Sequence, residues 1–134
     1  MAHLLRFSTK YLYSAAATGI TLPVLLRLAS RSVLLPAKLD SGSDLCVFQR
    51  DYAEVLGVRV EDGERLPVST VTGSFVTFGH DLSLEVCGLS FECRVCFYEE
   101  RHFRRNVLGR TWLQKCRVAI VEHDSTVFLS HYND

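Results

Sequence analysis

Apolar and polar residues alternate along much of this chain, a pattern that predicts short β-strands with one buried face. The alternation is clearest over residues 81–87, DLSLEVC, and it resumes over residues 91–97, FECRVCF. A short turn at Gly88 separates the two runs. Two alternating runs around a glycine turn are typical of an antiparallel hairpin, so we expect a hairpin here.

Further strands are predicted by similar short runs at residues 21–28, 33–39, 45–48, 117–122 and 126–129. Residues 66–78 are predicted to form a longer hairpin centred on Thr72 and Gly73. Helical signal is limited to residues 49–56, which would end at Gly57, and to residues 111–115, with Thr111 as the expected N-cap. Many short strands with one or two short helices indicate a mainly β, small closed barrel-like fold.

Length and composition are typical of one folded domain. The chain has 134 residues, and its 48% hydrophobic and 22% charged residues exclude a disordered chain. We expect the domain to occupy residues 20–130. Residues 1–19 show no clear pattern and are expected to form an N-terminal arm.

Charge and hydropathy exclude two classes of partner. Fifteen basic residues balance fifteen acidic ones, so no overall field attracts the chain to nucleic acid. No apolar run reaches the roughly 18 residues that span a bilayer, and no signal peptide is expected. Five cysteines are an odd number, which without an export signal favours reduced thiols and a cytoplasmic location.

Candidate chemistry is concentrated in residues 34–48, LLPAKLDSGSDLCVF, where an apolar strand ends at Asp40, Ser41 and Gly42. Gly42 permits a tight turn, which would hold the Asp40 carboxylate rigidly at the end of the strand. The Ser41 hydroxyl could form a hydrogen bond inside such a turn. The same residue types are the commonest in surface turns, so this motif alone leaves both interpretations open.

A second motif, Asn106-Val-Leu-Gly-Arg110, follows further along the chain and precedes a predicted helix. In this order the two motifs resemble the retropepsin family, the single-domain aspartic proteases of retroviral type. In that family an Asp-Thr/Ser-Gly turn carries the catalytic aspartate, and a later apolar Gly-Arg segment supports the active-site loop. A glycine-tipped flap hairpin lies between them, which matches residues 68–78 here. The resemblance covers about residues 20–130.

The resemblance implies an aspartic endopeptidase in which Asp40 is the catalytic residue. This chemistry needs two carboxylates facing one water, and valine stands where the aspartate would be in the similar segment 71–74. The working enzyme would therefore be a homodimer that acts on extended peptides. Its two aspartates would share one proton, so that one activates the water and the other polarises the scissile carbonyl. Neither a cofactor nor a metal is required.

Supporting roles also follow from the resemblance. Ser41 would form a hydrogen bond across the dimer beneath the two aspartates. Asp44 would face the substrate backbone and pair with Arg110. The remaining predicted site residues are two supporting glycines, the flap tip and an apolar pocket: Gly42 and Gly109; Thr72, Gly73 and Ser74; Val47, Val71, Phe75 and Val107.

Other classes of function stay open at this point. Cys93 and Cys96 form a CxxC pair with another cysteine and two histidines nearby, a composition that can bind zinc. However, the alternation places these two cysteines on opposite faces of one strand, which favours a structural role. A cysteine nucleophile has no supporting local motif. A non-catalytic dimerisation or peptide-binding module on the same fold is the third alternative.

Overall fold

The computed structural model describes all 134 residues. Every strand that the alternation predicts is present, with ends that differ by a few residues. Ten strands and two short helices follow one another along the chain: β1 (Thr9–Leu12), β2 (Thr21–Leu28), β3 (Arg31–Leu39), β4 (Val47–Phe48), α1 (Arg50–Val55), β5 (Glu64–Thr70), β6 (Gly73–Val86), β7 (Leu89–Tyr98), β8 (Val107–Leu108), α2 (Arg110–Leu113), β9 (Cys116–Val121) and β10 (Thr126–His131).

Six of the strands form a closed ring. They are neighbours in the order β2-β3-β8-β4-β7-β6, and β6 pairs again with β2 over residues 24–27. The remaining strand of this sheet, β5, pairs with β6 alone. Closure removes free sheet edges from the ring, which is a usual solution for a small β domain. The prediction of a mainly β, closed barrel-like fold is confirmed.

The core is one contiguous cluster of 24 buried residues. Alternate residues of β2, namely Leu22, Val24 and Leu26, are completely buried, whereas the residues between them are partly exposed. Trp112 of α2 is also completely buried and packs edge-on against Phe91, with ring centroids 5.8 Å apart. The alternation seen in the sequence therefore corresponds directly to which side chains enter the core.

The two helices lie where they are predicted, but one cap differs. Gly57 ends α1 in the left-handed conformation, with φ of 75°, as expected for a residue after a helix C-terminus. Gly109, not Thr111, occupies the N-cap position of α2, because this helix begins directly after β8. The expectation for Thr111 is therefore wrong. Neither helix has the length and apolar character needed to cross a membrane.

A separate three-stranded sheet has the order β1-β10-β9. Its first strand comes from residues 1–19, for which the sequence predicts no element. Thr9 lies opposite Leu129 in the antiparallel register of β1 and β10. The Tyr13 hydroxyl, just beyond β1, donates a hydrogen bond of 2.5 Å to Glu122. Part of the predicted arm is thus integrated into the fold through contacts with the end of the chain.

Candidate active site

The position of Asp40 is set by a parallel pairing between β3 and β8. Leu39 lies opposite Leu108 in this pair. The Asp40 backbone N–H then donates a hydrogen bond of 3.0 Å to the Leu108 carbonyl. Asp40 follows the last residue of β3, half-buried, where the chain leaves the barrel. The two sequence motifs are therefore brought side by side, as their resemblance to the retropepsin motifs implies.

A tight turn follows Asp40 and orients its carboxylate. The Gly42 N–H donates a hydrogen bond of 2.9 Å to Asp40 Oδ1, and the Ser43 N–H donates one of 3.2 Å to the Asp40 carbonyl. Gly42 does not have a positive φ. Glycine suits this position because a Cβ would lie 3.2 Å from Asp40 Oδ1. Ser41 is exposed in the single chain.

The Gly-Arg segment contacts the turn through its backbone. The Arg110 N–H donates to the Ser43 carbonyl at 2.8 Å, and the Thr111 N–H donates to the Asp44 carbonyl at 3.1 Å. A Cβ at Gly109 would overlap the carbonyl oxygens of Ser43 and Leu45. Gly109 is therefore required by close approach of two backbones, and its role in supporting the Asp40 loop is physical packing.

The expected ion pair between Asp44 and Arg110 is not present in the chain. Both residues are exposed, and no nitrogen of Arg110 lies within 4.0 Å of an Asp44 oxygen. The backbone hydrogen bonds between the two segments already hold them together. Both side chains lie in solvent, where an exposed ion pair would add little stability.

Cys46 connects the same two segments from inside the core. Its sulfur accepts hydrogen bonds from the Gly109 N–H and the Thr111 hydroxyl, each at 3.3 Å. A hydrogen bond from the Cys93 thiol, together with these donors, lowers the pKa of the Cys46 thiol despite its burial. Because Cys46 is completely buried, it acts as a packing and hydrogen-bonding residue and is not an accessible nucleophile.

The CxxC pair is divided between two hydrophobic clusters. Cys93 packs in the main core, whereas Cys96 packs with Val47 and Tyr98 in a separate small cluster. The two sulfurs lie on opposite faces of β7, so they cannot both ligate one ion. No group of three or more His, Cys, Asp or Glu side chains has an arrangement that could hold a metal.

The flap is the hairpin of β5 and β6. Thr70 lies opposite Gly73, so Val71 and Thr72 form a two-residue turn at the tip. The prediction that centres this hairpin on Thr72 and Gly73 is therefore one residue out, because Gly73 already pairs as the first residue of β6. Gly73 has a φ of 146°, which favours glycine, and its carbonyl accepts a hydrogen bond of 2.9 Å from the Thr70 hydroxyl. Beyond the flap, β6 continues without interruption into the barrel. The flap is therefore an extension of a core strand.

A cleft of about 830 Å³ lies between the Asp40 turn and the flap. Most of the predicted site residues line this cleft. They are three residues of the Asp40 turn, three of the predicted flap residues and three of the predicted pocket residues: Asp40, Gly42 and Asp44; Thr72, Gly73 and Ser74; Val47, Phe75 and Val107. Val71 does not line the cleft, because its side chain is fully exposed in the flap turn. The prediction that Val71 lines the pocket is therefore wrong.

Three aromatic side chains form one wall of the cleft, which we call the aromatic wall: Phe75, Tyr98 and Phe103. Tyr98 and Phe103 are stacked with centroids 4.8 Å apart, and Phe75 lies 5.4 Å from Tyr98 and 5.1 Å from Phe103. Sequence reasoning missed two of them. The polar run EERH between Tyr98 and Phe103 is typical of a turn. A turn there would bring these two aromatic residues close together.

Asn106 is a buried polar residue that the sequence analysis included in a motif without giving it a role. Its Oδ1 accepts a hydrogen bond of 3.0 Å from the Gln49 N–H, just before α1. Its Nδ2 donates one of 3.0 Å to the Pro36 carbonyl on β3. Its backbone carbonyl accepts from Lys38 at 2.9 Å. Asn106 thus holds the start of β8 against two other elements.

Replacing Asn106 with alanine is expected to lower the free energy of unfolding by about 1 to 2 kcal/mol, because two part-buried backbone groups lose their partners. Urea denaturation of the purified protein measures this change. The exposed Asn133→Ala variant is the matched control and should change stability by less than about 0.5 kcal/mol. Equal stability of the Asn106→Ala and wild-type proteins would contradict this role.

Comparison with solved structures relates this arrangement to a known fold. The structure is similar to that of the EIAV protease complexed with the inhibitor HBY-793, with a TM-score of 0.57. The likeness covers 75% of this chain and 90% of that chain, at 22% sequence identity. This chain has a retroviral-protease fold. No protein-family model matches the sequence, and no curated protein matches it.

Proposed function

We propose that this chain is an aspartic endopeptidase that is active as a homodimer, with one Asp40 from each subunit. The observation that carries this proposal is the Asp40 carboxylate, oriented by the Gly42 N–H in a cleft that a flap hairpin borders. A strand followed by a tight turn is a rigid support for a catalytic group. The retroviral-protease fold supports the same chemistry, since it places an aspartate turn and a flap on opposite sides of a cleft.

The chemistry requires a second carboxylate, which a second copy of the chain would supply. The chain contains one Asp-Ser-Gly sequence, and Val71 occupies the corresponding position in the flap segment. Two Asp40 side chains on a two-fold axis would share a proton. The ionised carboxylate would then take a proton from the attacking water, while the protonated one polarises the scissile carbonyl.

The proposed substrate is an extended peptide with bulky apolar residues near the scissile bond. Val47, Val107 and the aromatic wall offer apolar surface of the size that such side chains need. An extended peptide between the flap and the Asp40 turn could also form hydrogen bonds with backbone groups, as in strand addition to a sheet. Both features favour endopeptidase activity over the hydrolysis of small esters.

Mixing of subunits tests whether the two carboxylates come from two chains. Wild-type protein and the Asp40→Asn variant are combined in equal amounts, allowed to exchange, and assayed on a peptide library between about pH 4 and 7. If only wild-type dimers are active, the mixture retains about a quarter of the activity of the same total amount of wild type. A statine-type inhibitor should block the remaining cleavage.

Each other result has a definite meaning. Retention of half of the activity would show that each chain works alone and would overturn the shared active site. An inert but dimeric wild-type protein would favour the non-catalytic module. Cleavage that persists in pure Asp40→Asn protein would exclude the aspartic mechanism.

A further inference from the structure

One cationic side chain, Arg105, lines the cleft together with the proposed catalytic turn. It lies two residues before Val107, and both residues line the cleft, whereas Asn106 between them is buried on the other side. Arg105 also borders a second, smaller pocket with Arg104 and Asn106, so it lies at the rim between the two pockets. From this rim its side chain can reach the space where a substrate would lie. No other lysine or arginine lines this cleft.

Arg105 has no acidic partner within the chain. Its neighbours Arg101 and Arg104 both contact Asp51, the latter at 3.8 Å, but no carboxylate oxygen lies within 4.0 Å of Arg105. The side chain is exposed at the edge of the cleft. An unpaired guanidinium in a partly enclosed cleft is available for a carboxylate that a substrate brings.

The aromatic wall lies beside this charge. Burial raises the pKa of Tyr98, and the nearby positive charge of Arg105 opposes that shift. Tyr98 and Arg105 both line the cleft, so both can contact the same bound segment. Asp40 and Asp44 line the cleft as well, so an acidic substrate residue placed beside them would be repelled.

We propose that Arg105 makes the enzyme selective for peptides that carry an acidic residue two positions from a bulky apolar one. The apolar side chain packs on the aromatic wall, and the carboxylate, which lies on the same face of the extended peptide, pairs with the Arg105 guanidinium. This inference rests on the proposed endopeptidase function and adds a substrate class to it. An arginine fork binds a carboxylate through two parallel hydrogen bonds, which favours glutamate or aspartate over their amides.

The test uses matched peptide pairs. A phenylalanine-centred peptide is made with Glu or with Gln at each position up to two residues from the phenylalanine in turn, and kcat/KM is measured for every member. At the best position, wild-type protein should prefer Glu over Gln by about 5- to 10-fold. Arg105→Gln should reduce this Glu/Gln ratio to about 1. Arg105→Lys should keep part of the preference, because lysine keeps the positive charge but cannot form the two parallel hydrogen bonds.

Arg104→Gln is the matched control, since it removes the same charge from the adjacent residue, which does not line this cleft. It should leave the Glu/Gln ratio unchanged. An equal loss in both variants would show that the general field selects the substrate, and this would overturn the specific role of Arg105. Cleavage without any Glu/Gln preference would overturn it too, while the proposed function stands.

A binding measurement separates this inference from the proposed function. Fluorescence anisotropy of the labelled Glu and Gln peptides is followed with the Asp40→Asn protein and with the Asp40→Asn/Arg105→Gln protein. A preference for the Glu peptide that depends on Arg105 supports the inference even if wild-type protein cleaves nothing. Equal affinity for the two peptides in the single variant overturns it, whatever the outcome of the cleavage assay.

Discussion

Asp40→Asn is expected to lower kcat by at least about 1,000-fold, because the proposed general acid–base catalysis by two Asp40 carboxylates would be lost. Asparagine has the same size and can still accept the hydrogen bond from the Gly42 N–H, which is 2.9 Å long in the wild-type chain. The turn and the dimer should therefore persist. Steady-state kinetics on a cleaved library peptide give kcat, and circular dichroism with size-exclusion chromatography reports fold and assembly.

The exposed Asp62→Asn variant is the control for this experiment, because its side chain lies on the surface and does not line the cleft. It should retain wild-type kcat within about twofold. A comparable loss of activity in both variants would attribute the effect to general destabilisation. Full activity of Asp40→Asn would exclude Asp40 as the catalytic group.

Gly109→Ala is expected to be strongly destabilising, by about 3 kcal/mol. Gly109 has an ordinary φ of −104°, so no backbone strain is involved. The added methyl group would instead overlap the Leu45 carbonyl and lie 2.6 Å from the Ser43 carbonyl. These are backbone atoms of the active-site loop, so relief of the overlap must move that loop and reduce activity as well.

Gly88→Ala is the matched control, because it separates backbone strain from overlap. Gly88 has a φ of 82°, but an added Cβ would have no atom within 4 Å. This variant should lose only about 1 to 2 kcal/mol and keep its activity. Urea denaturation of both proteins gives the comparison. Greater destabilisation by Gly88→Ala than by Gly109→Ala would contradict the packing argument.

The strands could be predicted because the burial of each residue follows the local alternation of apolar and polar residues. Leu82, Leu84 and Val86 are buried one after another on the same face of β6, and this period of two is visible in the sequence. Turn residues such as Gly57 and Gly88 have positive φ for the same local reason. Pairing between β1 and β10 was not predictable in this way, because its residues are far apart in the chain.

Within the candidate site, the structure agrees with the expected backbone arrangement and departs from some expected side-chain contacts. The turn after Asp40 is anticipated by the small residues that follow it, and the position of Gly109 is implied by the resemblance to the retropepsin family. The expected ion pair of Asp44 with Arg110 is not formed, and both side chains lie in solvent. Val71 was misplaced because the exact register of the flap decides which residues form its turn.

The sequence by itself therefore determined that this is a small, mainly β domain with a glycine turn after Asp40 and a hairpin over residues 66–78, because these features follow from periodicity and local sterics. Only the tertiary structure decided that β2 and β6 close the ring and that the aromatic wall and Arg105 share the cleft with Asp40. Those contacts join residues from distant parts of the chain. Their chemistry depends on packing and register, which no local pattern contains.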